Sequence, residues 1–247
     1  MSAKDILVKP IDAKTANDAV KRIHYSGKVV PNSQLHLGVF YAGKLEGVMQ
    51  FGPSINKKGT INLVEGTTWN GFIELNRMAF SEALPKNSES RAISIAMRYL
   101  KKYAPHIEWV ISFADGTQCG DGTIYRASGF YLTAIRPNDA LRENPETGEQ
   151  MHVISAHHKK MSKEFRTWKS LVGFQLRYVY FLNPEAKQRL TAPIIPFSEI
   201  AKQGATMYRG KRPDSVISNT SSVHDEIGGV KPTSGLQTMR VESDHSL

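Results

Sequence analysis

The chain has 247 residues, of which 40% are apolar, 9% aromatic and 22% charged, enough for one sizeable domain with additions and too apolar for a disordered chain. No apolar run approaches the roughly 18–20 residues needed to cross a bilayer, the start lacks the apolar segment of a secretory signal, and the single cysteine, Cys119, excludes an internal disulfide. A protein of the reducing cytoplasm with no membrane partner is expected; its formal charge is +9, and the −3 carried after Arg212 leaves +12 on residues 1–212, which favours a polyanion such as nucleic acid.

In chain order, Thr15 to His24 reads as a helix, and Leu35 to Phe51 as two strands turning at Ala42-Gly43-Lys44. Phe72 to Phe80 is a further strand. Ser90 to Tyr103 sets Ile93, Ala96, Met97 and Leu100 at helical spacing with basic residues elsewhere on the wheel. Ile107 to Phe113 is almost continuously apolar between Pro105 and Asp115-Gly116, as a strand buried on both faces would be. A turn of helix at Gly122 to Ser128 and a strand at Phe130 to Arg136 follow. This order predicts an α+β fold, a mixed central sheet flanked by helices on both sides, with the strands flanking Ser90 to Tyr103 as parallel neighbours.

Three divisions are expected: a core at 1–136, a basic extension at 137–212 packing on it, and a disordered tail at 213–247 rich in Ser, Thr, Gly and Pro. From Ser155 to Arg212 twelve basic residues meet only Glu164, Glu185 and Glu199, with Trp168, Tyr178, Tyr180 and Tyr208 interleaved. Phosphates and stacked bases suit such a mixture, and Lys159, Lys160, Lys163, Arg166, Trp168 and Lys169 are its candidate contacts. The chain lacks an Asn-or-Asp-Pro-Pro-aromatic motif, a GxxxxGK[ST] loop and GxGxxG, so adenine methylation, nucleotide hydrolysis and dinucleotide redox chemistry lose their usual support.

Four segments carry the chemistry: Ile23-His24-Tyr25-Ser26, Glu74-Leu75-Asn76-Arg77, Pro85-Lys86-Asn87-Ser88-Glu89-Ser90 and Ser112-Phe113-Ala114-Asp115, with Gly122-Thr123-Ile124-Tyr125 downstream. Ligands of open sheets bind beyond the carboxyl ends of parallel strands, where Asp115 and the loop before the clearest helix would meet. A helix start at Ser88 or Ser90 offers free N–H groups to a phosphate or another anion. A carboxylate at Asp115 suits an exocyclic amine, Arg77 suits a phosphate or oxyanion, and Tyr25 or Tyr125 can stack or transfer a proton.

Taken as a set, ELNR, PKNSES, SFAD and GTIY resemble the Mom family of bacteriophage DNA-modification proteins, whose fold looks like the GNAT acetyltransferases. The resemblance covers His24 to Arg136 and continues more weakly to Arg212. It implies conversion of adenine in DNA to N6-carbamoylmethyl-adenine, which shields phage DNA from host restriction, and a site formed by His24, Tyr25, Arg77, Ser90, Asp115 and Tyr125. It implies acetyl coenzyme A as a donor, for which Arg77, Asn87, Ser88 and Ser90 are the candidate contacts, although Ser81 to Ser90 has no glycine. An acetyl donor would need its methyl carbon oxidised, which points to a redox metal such as iron with His24, Tyr25 and Asp115 as ligands. A glycyl ester on transfer RNA is already at the right oxidation level and is the alternative donor. Adenine's amino group is paired inside duplex DNA, so the base must be flipped or the substrate must be single-stranded, and Trp69, Phe72, Tyr125 or Trp168 would supply the stacking surface. Two other functions fit the composition: an acetyltransferase for a small amine or protein, and a basic DNA-binding protein without catalysis.

Overall fold

The computed structural model describes residues 2–116, 120–138, 140–171 and 173–207. A short 3-10 turn, Ala3–Asp5, leads into β1 (Leu7–Pro10), α1 (Ala13–Ile23), β2 (Leu35–Tyr41), β3 (Lys44–Gly52), α2 (Lys57–Ile61), β4 (Phe72–Phe80), α3 (Ser88–Tyr103), β5 (Trp109–Asp115), α4 (Thr123–Ala127) and β6 (Tyr131–Asn138). A smaller group follows: β7 (Leu141–Glu143), β8 (Gln150–His152), α5 (Val153–His158), α6 (Ser162–Phe165) and β9 (Lys169–Ser170). The described chain then returns through β10 (Gly173–Phe181), a 3-10 turn at Pro184–Arg189 and α7 (Ser198–Lys202).

Seven strands form one sheet in the order β1-β2-β3-β4-β5-β10-β6, antiparallel throughout except between β4 and β5. The β2–β3 turn is tight because Ala42 and Gly43 both hold positive φ (48° and 79°), the twist that suits a two-residue hairpin. Asp12 starts α1 by accepting the Thr15 N–H at 2.9 Å, two residues before the expected start. β5 carries Trp109, Val110 and Ile111 without solvent exposure because both faces of the sheet are covered. On one face Ile93, Ala96, Met97 and Leu100 of α3 pack against Leu37, Met49, Leu75, Val110, Leu132 and Tyr178. On the other, Ala16, Ala19 and Val20 of α1 cover Val48 and Ala79, while Leu63, Val64 and Ala186 cover Phe72, Trp109 and Val179. Trp109 donates its indole N–H to Thr67 Oγ1 at 3.0 Å, which satisfies the only polar atom of a buried ring.

The expected mixed sheet with helices on both faces and a parallel pair around α3 is the one observed. The 137–212 stretch differs from the expected extension, because β10 lies inside the main sheet, hydrogen-bonded to β5 on one side and β6 on the other. Its alternation of Leu176 and Tyr178 with Gln175 and Arg177 builds the core, and the Tyr178 ring is fully buried with its hydroxyl donating to the Asp121 carbonyl. Only 141–170 stands apart, as the three-stranded sheet β8-β7-β9 with its own core of Met151, Ala156, Phe165 and Trp168. The tail expected at 213–247 and Cys119 lie outside the described residues. Among the described residues no helix is long and apolar enough to cross a membrane.

Candidate active site

The two parallel strands part almost as soon as they meet. They pair only from Phe72, Ile73 and Glu74 to Trp109, Val110 and Ile111. Beyond that point β4 carries a bulge: Phe51 of β3 lies opposite Leu75 and Gln50 opposite Arg77, which leaves Asn76 as the extra residue. An extra residue reverses the alternation of side chains that follow it. Glu74, Asn76 and Arg77 therefore all reach a pocket on the α1 side of the sheet.

That pocket has a volume of about 900 Å³. Its floor is β4, β5, β10 and β6, contributing Glu74, Arg77, Asp115, Arg177 and Arg136. One wall is the loop after α1 with Tyr25 and Lys28, together with residues 54–60; the other is the small sheet and the helix that follows β8, with Gln150, His152 and Ile154. A hydrogen bond of 2.9 Å from Lys28 Nζ to Ser155 Oγ joins the two walls.

Arg77 is fixed in place by donating through Nε to the Lys28 carbonyl at 3.0 Å and through a terminal nitrogen to the Asn76 carbonyl at 3.0 Å. Burial pushes the Glu74 carboxyl above its ordinary range, against hydrogen bonds from Ser54 and Asn76 and the nearby Arg77 charge. Burial pushes the His152 imidazole below its ordinary value, against the charge of Asp115, which lies opposite Gln175 at the end of β5, and with a further contribution from Lys28. Burial, and then Arg136, lower Arg177, which donates from Nε to Thr133 Oγ1 at 2.9 Å. His24 ends α1, half-buried and tilted against Tyr25 with ring centroids 4.2 Å apart. Its Nδ1 accepts the Ser26 N–H at 3.1 Å, so the ring is neutral with its proton on Nε2; burial first and Arg77 second hold its pKa down at about 4.

Of the expected site residues, Tyr25, Arg77 and Asp115 line this pocket, and His24 stands at its edge beside Arg77. Tyr125, Ser88 and Ser90 lie with α3 and α4. Tyr125 is buried against Phe130 and Tyr178, with its hydroxyl 2.8 Å from Ser112 Oγ. Ser112 also reaches across the parted strands to the carbonyl of Leu75, a residue that lines the pocket, at 3.3 Å. Asn87 holds a left-handed φ of 69° before α3 and makes no side-chain cap. Ser88 is fully buried and its Oγ has no hydrogen-bond partner, whereas Ser90 Oγ turns back to the Asn87 carbonyl at 3.2 Å.

As metal ligands, His24, Tyr25 and Asp115 fit poorly. His24 Nδ1 is committed to Ser26, the nearby Arg77 charge opposes a further cation on the ring, and among the described residues no group of three His, Cys, Asp or Glu could hold a metal ion. Lys159, Lys160, Lys163, Arg166 and Lys169 are exposed on the small sheet and its helices, Lys159 pairing with Glu149 at 3.7 Å. Trp168 is not beside them in solvent; it fills that unit's core. Phe72, Tyr125 and Trp168 are all buried and present no stacking surface, while Trp69 is exposed under the Lys57 ammonium at 4.6 Å. The residues that sequence reasoning missed are Glu74, Lys28, Arg136, His152 and Arg177. A signal existed for Arg177, a charge inside an apolar run, and for Glu74, which stands in the quoted ELNR.

The sheet is thus mixed and parted between its parallel strands, with a charged pocket on one face and a long helix starting on the other. The Mom protein family matches residues 5–199, and the chain belongs to it. A protein of Escherichia phage Mu named methylcarbamoylase mom is 35% identical over 201 residues, covering 78% of this chain and 82% of that one. Solved structures similar to this chain include an N-acetyltransferase from Staphylococcus aureus Mu50 (10% identity, 72% of this chain and 99% of that one, TM-score 0.45). A Bacillus subtilis acetyltransferase in complex with CoA is another (13% identity, 71% and 97%, TM-score 0.43).

Proposed function

We propose that this protein modifies adenine in phage DNA, attaching a carbamoylmethyl group to N6 and so shielding the DNA from restriction. The observation that carries this reading is the convergence of Glu74 and Asp115 with Arg77 in one pocket large enough for a nucleoside. Adenine offers an exocyclic N–H and ring-nitrogen acceptors; a carboxyl group accepts the former, and a guanidinium answers charge that develops on an acyl oxygen or a phosphate. The family relative named a methylcarbamoylase and the +12 body both support it.

The start of α3 fits a coenzyme A type of donor. Ser88 brings a buried hydroxyl with no partner, α3 is 16 residues long, and Asn87 adopts the left-handed turn that a glycine takes in ordinary pyrophosphate loops. When bound, the cofactor supplies an activated acyl group. Ser88 and the first-turn N–H groups would hold its pyrophosphate, and the Ser112–Tyr125 pair lies beside the parted strands. The transfer itself has a constraint of oxidation level. An acetyl group becomes carbamoylmethyl only by losing two electrons at its methyl carbon and gaining nitrogen, and among the described residues His24, Tyr25 and Asp115 fit poorly as the metal ligands that would serve such an oxidation. A glycyl ester carries both features: N6 attacks its carbonyl, the ester oxygen leaves with a proton, and the glycyl amine then attacks C6 through a five-membered ring. N6 departs from C6 as the amide nitrogen, and no electrons are exchanged. The exposed lysines of 159–169 and Arg166 would meet the nucleic acid in either case.

The test is mass spectrometry of nucleosides from DNA of bacteria producing the protein or its Asp115→Asn variant. A carbamoylmethyl-adenine peak that the variant abolishes is expected; unmodified adenine with the wild-type protein folded would overturn the proposal. Isotope-labelled glycine on transfer RNA, against labelled acetyl coenzyme A, then identifies the donor by which label enters the base.

A further inference from the structure

Among the described residues eight large hydrophobics are well exposed, and three of them, Tyr25, Ile55 and Ile154, line the rim of the same pocket. Ile55 is 86% exposed, the most of the eight, and belongs to none of the four cores. Its neighbours hold it there. Ser54 is buried and hydrogen-bonds Glu74 in the pocket, and Asn56 caps α2 by accepting the Gly59 N–H at 3.1 Å. On the facing wall Ile154 is 55% exposed and is fixed by the same kind of tie, its N–H donating to His152 Nδ1 at 3.2 Å. Each isoleucine is thus anchored through a pocket residue and presented outward. Cations accompany them: Lys57 beside Ile55, held over Trp69 and bonded to Asn70 Oδ1 at 3.2 Å, Lys28 on the wall and Arg136 on the floor.

Apolar tips set in a basic rim around a nucleoside-sized pocket match a bent or opened duplex, where phosphates meet cations and a wedge fills the gap left by an extruded base. A protein partner would find the apolar area small and the cations unanswered. We propose that Ile55 is the wedge that enters duplex DNA as the target adenine leaves the stack, with Ile154 as the facing lip. This rests on the adenine-in-DNA reading above and specifies how that site opens its substrate.

The experiment compares the wild-type protein with Ile55→Ala and Ile55→Leu on oligonucleotides containing a site modified in cells. It uses the perfect duplex and the same strand alone, with adenine modification read by mass spectrometry. Ile55→Ala should lose about tenfold or more on the duplex, where base pairing and stacking must be broken, and stay within about twofold on the single strand, where they need not be. Ile55→Leu should keep most duplex activity. Fluorescence of 2-aminopurine at the target should rise with the wild type and not with Ile55→Ala. Equal loss on both substrates, or none on the duplex, would overturn the wedge. A wild type that modifies neither oligonucleotide when bacterial extract is supplied as the source of donor would instead fail the adenine reading.

Discussion

Acidification tests the edge of the pocket through one side chain. His24 is half-buried, accepts the Ser26 N–H on Nδ1, and faces Arg77; burial first and that charge second hold its pKa at about 4, against 6.5 for a free imidazole. Above pH 6.5 the ring is neutral whether the chain is folded or not, and the native state bears no cost. As pH falls from 6.5 towards 4 the unfolded chain takes up a proton that the native state refuses, so stability declines across that window and levels off below it. The full gap corresponds to about 3 kcal/mol, and partial solvent access to the ring reduces it to about 1–2 kcal/mol. Urea unfolding from about pH 7.5 to about pH 4.5, run beside His24→Gln, isolates this term, because Gln keeps an acceptor for Ser26 and does not titrate. His36 and His152, also depressed by burial, contribute equally to both proteins and cancel. The wild type should lose about 1–2 kcal/mol more than the variant over that range. Parallel pH profiles, or an imidazole whose NMR titration midpoint matches a free histidine, would refute the reasoning.

Gly122→Ala should destabilise the protein by about 2–4 kcal/mol in thermal or urea unfolding, since φ is +79° and the new Cβ would enter the Tyr178 ring. Ser112→Ala should cost about 1–3 kcal/mol by removing a buried hydroxyl that meets both Tyr125 and Leu75. Combined with Tyr125→Phe, a double-mutant cycle should show the two losses to be less than additive. Trp168→Ala should unfold the 141–170 unit locally, seen as loss of hydrogen-exchange protection around Met151 and Phe165 while the amides of β5 stay protected.

Much of the sheet could be read from local pattern. The bounds of β4 match expectation, the Ala42-Gly43 turn carries its own conformational signature, and the crossover through α3 gives the parallel pair. The pattern leaves the start of α3 between Ser88 and Ser90, and the structure puts it at Ser88, because Asn87 enters the helix through a left-handed turn and its side chain makes no cap to mark the boundary. Composition misled where it overrode periodicity: Phe174, Leu176, Tyr178 and Tyr180 alternate as a strand, yet the surrounding lysines and arginines suggested a nucleic-acid surface. Glu74 and Arg77 could not be assigned to one face from alternation, since the bulge at Asn76 is an extra residue that a period of two does not reveal. The basic unit was visible as charge, but Trp168 inside it answers to packing that composition does not report.

The insertion of β10 between β5 and β6 also governs when this protein can come into being. β6 has no other neighbour in the sheet, and β5 has on its far side only three residue pairs with β4. Until Gly173–Phe181 has been synthesised, a ribosome-bound chain displays one of its most apolar strands with an unpaired edge and a second strand with no partner at all. The sheet closes late, by a contact between distant parts of the chain. Any polypeptide cut short before that strand lacks Gln175 and Arg177 from the floor of the pocket and the only strand that joins β6 to the sheet, so activity and solubility should be gained together in the same few residues of elongation.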